Sequence, residues 1–379
     1  MLTCYICSCI ITKNNTYKEH IILNALGGRL VSPSIICQLC APKFDAIDTA
    51  LAEQLNFIGL MLDIKRDRGK NPPIKVTVIE TGDVISLDTG GKPVLIKPII
   101  KENPDNGGIS ITARDKKEMR KILTGLTRKY SFNEEVEALI KKSNKSEEYF
   151  DKPVNIHIKL GEEEGFRAIC KMIVSFYMQN GGNRQQILHL LPYIMQGTQE
   201  KIVWYYYADE VINAKSATFE VVHRLFVKAS SNEKLMYGYV ELYSTFKFLI
   251  LMSDDYIGED FHHSYCFDIL NQSQVEPSFN MNLPRDTVLE VVSFRETNLD
   301  KFKYVLQKLL LFIDKKQSDD CISNIVQKNL DMAFESLIEG AVPSDEKFQM
   351  LIENLSEDFA KFLYSKNKAF QDSQEKNLE

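Results

Sequence analysis

Leu51, Leu55, Ile58 and Leu62 recur at the spacing of one helix face. They predict a helix from about Asp45 to Asp63. The segment Arg66-Asp67-Arg68-Gly69-Lys70-Asn71-Pro72-Pro73 ends it, because its glycine and two prolines continue a helix poorly. The pattern then changes. Ile74-Lys75-Val76-Thr77-Val78-Ile79 alternates and is β-branched, and Gly82-Asp83 and Gly90-Gly91 mark turns, so residues 74–112 read as strands. Helix returns over 113–145, with a basic face of Arg114, Lys116, Lys117, Arg120 and Lys121. Val154 to Leu160 reads as a strand, and Glu163 to Gln179 as a helix stopped by Asn180-Gly181-Gly182. The apolar runs Val221–Val227, Lys234–Leu242 and Thr245–Met252 describe an antiparallel meander, its last two strands joined by a tight turn near Tyr243-Ser244. Residues 298–372 read as helical, with a leucine-rich stripe between Phe302 and Leu311 that suits a core or a dimer seam.

This order gives an α+β chain in four stretches: a cysteine-rich module over 1–70, a small β-rich segment with a basic helix over 71–145, an α+β domain with the meander over 146–297, and a helical region over 298–379. There is no internal repeat. Hydrophobic content of 44% and charged content of 26% are ordinary for a globular protein with a large core. No apolar run reaches the roughly 18 residues of a membrane helix. No basic stretch followed by an apolar one opens the chain, so the expected location is the cytoplasm. The net charge of −6 conceals an asymmetry. Residues 1–145 carry 22 Lys and Arg against 16 Asp and Glu, and the remainder 24 against 36. A basic front half fits a polyanionic partner.

Cysteine usage sharpens the picture. Four of the eight cysteines form two Cys-x2-Cys pairs, Cys4 with Cys7 and Cys37 with Cys40. Two such pairs suit one tetrahedral zinc in a closed, structural shell, which stabilises a small unit directly. Cys9 falls outside the pairing and reads as a buried or surface thiol. Between the pairs runs Glu19-His20-Ile21-Ile22-Leu23-Asn24-Ala25-Leu26-Gly27-Gly28-Arg29. A carboxylate beside an imidazole next to such a knot suits a metal-dependent hydrolase. His262-His263 reads as part of a loop with no partner at ligand spacing.

The order Cys4-x2-Cys7, Glu19-His20-Ile21-Ile22-Leu23, Gly27-Gly28, Cys37-x2-Cys40 resembles the zinc-bound branch of the HNH endonucleases, and the likeness continues to about Gly69. The resemblance implies a ββα-metal module. In it Glu19 would ligate a catalytic Mg²⁺ or Mn²⁺, and His20 would act as general base in hydrolysing DNA phosphodiesters. Arg29, Lys43, Arg66 and Arg68 would hold flanking phosphates, and Asn24 stands near the place of the asparagine that orients the catalytic loop. A regulated nuclease, with a role in bacterial anti-phage defence, is the family's habit. A protein partner or a second copy would engage through the C-terminal helices. Two departures stand out. Leu23 replaces the usual proline. Ala41 stands where the family has Asn or His as second ligand of the catalytic ion, and a methyl group cannot coordinate a hard cation. The favoured reading is an engineered loss at position 41. A natural pseudonuclease, or a substitute ligand from Asp45 or Asp48, are the others. The alternative function is a non-catalytic nucleic-acid-binding or scaffold protein with a purely structural zinc knot.

Overall fold

The computed structural model describes residues 2–102, 108–130, 132, 134–144, 152, 154–156, 161–198, 200–212, 219–276, 281–335 and 342–376. It is α+β. The short strands β1 (Glu19–His20) and β2 (Val31–Ser32) pair antiparallel and lead into helix α1 (Asp45–Met61). Next come β3 (Ile74–Val78), β4 (Val84–Asp88), β5 (Lys92–Val94), β6 (Ile99–Glu102) and β7 (Ile109–Thr112). Helices α2 (Lys116–Leu126) and α3 (Val136–Lys142) and strand β8 (Val154–Asn155) follow. Then come α4 (Glu163–Gln179), α5 (Leu190–Gln196), β9 (Val203–Tyr205) and α6 (Asp209–Ile212). The long strands are β10 (Val222–Ser230), β11 (Leu235–Leu242), β12 (Phe246–Ser253) and β13 (Phe261–Asp268), with the short β14 (Ser273–Val275) after them. Helices α7 (Arg285–Phe294), α8 (Leu299–Phe334) and α9 (Asp345–Lys376) complete the chain.

By contacts the chain forms two compact units, each assembled from two separate stretches. The first joins Met1–Pro72 to Ile158–Gln317, and the second joins Pro73–His157 to Ser318–Glu379. The first unit is built on a six-stranded antiparallel sheet in the order β14-β13-β10-β11-β12-β9. Every residue of β11 is buried, so the sheet is covered on both faces. On one face Tyr237 and Tyr239 join Phe226, Leu249, Met281 and Val288 in a core cluster. On the other lies α4, in contact with the sheet and with α1. Its close approach depends on Gly238, where an added Cβ would sit 2.3 Å from Ile173 Cγ1. The β11–β12 hairpin turns at Tyr243 and Ser244, both left-handed (φ 55° and 57°), the hand that matches strand twist in a tight hairpin. Glu241 is buried in this sheet with its charge fully met. Lys247 Nζ lies 2.7 Å from its carboxylate, the Tyr239 hydroxyl donates at 2.6 Å, and Arg224 pairs with the other oxygen.

The meander therefore forms as its pattern predicts, and α1 and α4 begin where theirs do. His262 and His263, expected in a loop, lie instead on β13, opposite Lys228 and Val227 of β10. Of the strand expected over Val154 to Leu160, β8 covers the start, and residues 157–160 lie outside the described residues.

The second unit carries an antiparallel sheet in the order β5-β4-β3-β8 and the separate hairpin β6-β7. The helix expected over 113–145 is two, α2 and α3. Asp115 caps α2 by accepting from Glu118 N at 2.7 Å, and the basic face is partly neutralised by Arg114–Glu118 and Arg120–Glu137 pairs. In α8 the buried Asn329 donates to Asp358 of α9 at 3.0 Å. Among the described residues no helix is long and apolar enough to cross a membrane.

Candidate active site and zinc cluster

Two cysteine turns build the knot. Cys4 N donates to Cys9 O at 2.9 Å and Ser8 N to Cys4 O at 2.8 Å, which curls residues 4–9 around the sulfurs. Cys40 N and Ala41 N both donate to Cys37 O, making the second turn. The sulfurs of Cys4, Cys7, Cys9 and Cys37 all lie within 4.8 Å of one another, and the Cys40 thiol interacts with those of Cys7 and Cys37. The cluster therefore holds five thiols. Cys9, read from spacing as standing apart, belongs to it, because the Ser8 backbone is left-handed (φ 62°) and turns the next residue back. The Cys9 backbone N–H draws the Cys7 thiol down to about 6, the direction a metal thiolate needs. This donor set fits a zinc ion, whose contribution would be structural.

Behind the knot, β1 places Glu19 and His20 on opposite sides, as adjacent strand residues must be. Glu19 is buried and faces α4, while His20 faces the loop after α1. The turn between β1 and β2 needs both its glycines. Gly27 is left-handed (φ 85°), and at Gly28 a Cβ would meet Ile22 O at 2.1 Å. His223 on β10 donates from Nε2 to Leu26 O at 2.9 Å, and the Tyr243 hydroxyl donates to the same oxygen at 3.1 Å. The turn is thus fastened to the large sheet. Residues 4–56 match the family model of the HNH endonucleases. The match covers the knot, the Glu-His strand and most of α1, and supports a nuclease-type function with a nucleic-acid substrate. No curated protein and no solved structure matches the chain.

Within the matched stretch, the His20 side chain is largely buried beside the loop after α1. Burial lowers its pKa, Asp67 partly opposes this, and Arg68 and Arg29 add to the lowering. The imidazole is therefore neutral near pH 7. Its Nε2 lies 3.5 Å from Asp67 Oδ2 and makes no hydrogen bond. Asn24 clamps the loop that carries Asp67. Its Oδ1 accepts from Asp67 N at 2.8 Å, and its Nδ2 donates to Arg68 O at 3.0 Å. Arg29 reinforces the same loop, donating to Asp67 Oδ1 at 2.9 Å, Lys65 O at 3.2 Å and Gln272 Oε1 at 2.7 Å. Arg66 turns inward, donating to Asn71 at 2.7 Å and Asn56 at 3.0 Å. Lys43 and Arg68 are exposed.

The surroundings of Glu19 differ from those of a metal ligand. Its carboxylate is ion-paired to Lys171 Nζ, and Asp48 Oδ2 lies 2.6 Å from the same nitrogen. Lys171 belongs to α4, and its side chain is 2% exposed. Ala41 is buried and brings no donor. Mg²⁺ is held through one or two carboxylates and several waters, and here both nearby carboxylates already meet the Lys171 ammonium. These residues do not fit that ion. Lys171, Asp67 and Cys9 were not singled out by motif spacing. One signal for Lys171 does stand in the sequence, a lone charge inside Ile169-Cys170-Lys171-Met172-Ile173-Val174.

Proposed function

We propose that this chain is a nuclease of the HNH type that acts on nucleic-acid phosphodiesters, with His20 as general base. The observation that carries this is the His20 environment, a neutral imidazole whose buried Nε2 faces the Asp67 carboxylate on an arginine-backed loop. In this reading the His20 imidazole takes a proton from a water, the water oxygen attacks phosphorus, the P–O bond to the leaving sugar oxygen breaks, and that oxygen is protonated from solvent. Arg68 and Lys43 hold neighbouring phosphates. Arg29 and Arg66 support the loop that places Arg68. DNA is the proposed substrate. The zinc cluster holds the Glu19-His20 strand against α1.

The test uses the zinc-loaded full chain with supercoiled plasmid, linear duplex and single-stranded DNA. Nicking is expected, and His20→Ala should slow it by about 10²–10⁴-fold, the usual size of a general-base contribution. Nicking that survives His20→Ala overturns the assignment. A second reading, binding without cleavage, is favoured by Ala41 and by the pairing of Glu19 with Lys171. It predicts a retained mobility shift on DNA with no cut product under any condition.

A further inference from the structure

We propose that the Lys171 ammonium stands in the place of the divalent ion at Glu19, so that the site carries a built-in cation and takes up no exchangeable metal. The inference rests on the HNH-type reading of β1 and deepens it. Glu19 from β1 and Asp48 from α1 converge on one point, and that point is the Nζ of a third element, α4. The Phe44 ring faces the same nitrogen, its centroid 5.4 Å away. Burial disfavours the charge, but Asp48 and Glu19 outweigh it and hold the Lys171 pKa above its ordinary value. Tyr5, beside the first zinc turn, is hydrogen-bonded to Ser175 at 3.1 Å, one helical turn along α4 from Lys171. The helix is thereby fixed to the knot at two places.

Ala41 and Lys171 then explain each other. By the resemblance the alanine removes a metal ligand, and the lysine supplies one of the two positive charges that a divalent metal would have brought. By the resemblance an Asn or His at position 41 would share a divalent ion with Glu19, and an ion at Glu19 would meet the like charge of the Lys171 ammonium. Lys171 lies on a separate helix, and its pairing with Glu19 and Asp48 involves no atom of residue 41. Lys171 acts here as a positioning residue. It pairs with the buried Glu19 carboxylate and so fixes the strand that carries His20.

Mn²⁺ titration followed by electron paramagnetic resonance tests this without reading cleavage. With zinc-loaded full chain, the free Mn²⁺ signal is expected to persist at equimolar protein. It should persist also for Ala41→Asn alone, because Lys171 still fills the site. Ala41→Asn combined with Lys171→Ala frees two carboxylates and adds an amide, and should remove the free signal. Loss of the free signal with the unaltered chain, reversed by Glu19→Gln, overturns the proposal, and so does uptake by Ala41→Asn alone. Should the double variant fail to fold, those two titrations still decide. A chain that binds no Mn²⁺ and cuts nothing defeats the nuclease reading while leaving this one standing.

Discussion

At the scale of single residues, His223 shows how a buried side chain can set the pH range of the fold. Its Nε2 donates to Leu26 O, and its Nδ1 accepts from Tyr243 N at 3.3 Å, so one tautomer satisfies both neighbours. A second proton on Nδ1 would face the Tyr243 N–H. Burial accordingly pushes the pKa from 6.5 down to about 4. The folded form resists a proton that the unfolded form accepts. Stability from this group is complete above pH 6.5 and is lost as pH falls toward 4. The loss amounts to about 3 kcal/mol at about 1.4 kcal/mol per pKa unit. Urea unfolding at neutral pH and near pH 4 should show this as a steeper decline than in His223→Gln. An equal decline in both would remove the argument.

Lys171 makes a similar point about what can be read from a chain. The Glu-His motif and the cysteine pairs were legible because their partners lie nearby in sequence. The lysine that meets Asp48 lies 123 residues away, and no local period reports it. Cys9 was hidden for the opposite reason, since a single left-handed residue redirects it within two positions.

At the scale of elements, α4 carries much of the architecture. It begins at Glu163 and ends before Asn180-Gly181-Gly182, as its pattern predicts, because a long apolar run with a glycine stop leaves little choice of boundary. Which elements it touches was not legible. An apolar helix fits any sheet, and its seat here is chosen by Gly238 on β11. Gly238→Ala should push Ile173 and the helix off the sheet, destabilising the first unit by about 1–3 kcal/mol as overpacking does. The measurement is thermal unfolding of the variant. Because the displaced helix bears Lys171, the same change should also increase acylation of that lysine, read by mass spectrometry. An unchanged melting temperature together with unchanged labelling would mean that the contact is readily relieved.

At the scale of the molecule, the zinc module shares its unit with residues 158–317. Arg184 donates to Tyr5 O at 2.7 Å and Ile6 O at 3.0 Å, Lys171 neutralises Glu19, and Tyr243 and His223 hold Leu26. Removing one partner of a buried ion pair costs about 3–5 kcal/mol. A fragment of residues 1–72 is therefore expected to bind zinc yet show no cooperative unfolding by circular dichroism, while the full chain does. Cooperative melting of the fragment would show that the knot and α1 suffice. Zinc removal from the full chain by a chelator should lower its melting temperature, since metal binding contributes folding free energy.

The bond between Tyr5 and Ser175 spans 170 positions of the chain. During synthesis at about 5–20 residues per second, roughly 10–30 s separate the appearance of its two ends. Over that interval the Glu19-His20 strand lacks its lysine and the large sheet. A growing polypeptide thus carries the recognisable motif long before it carries the assembled site.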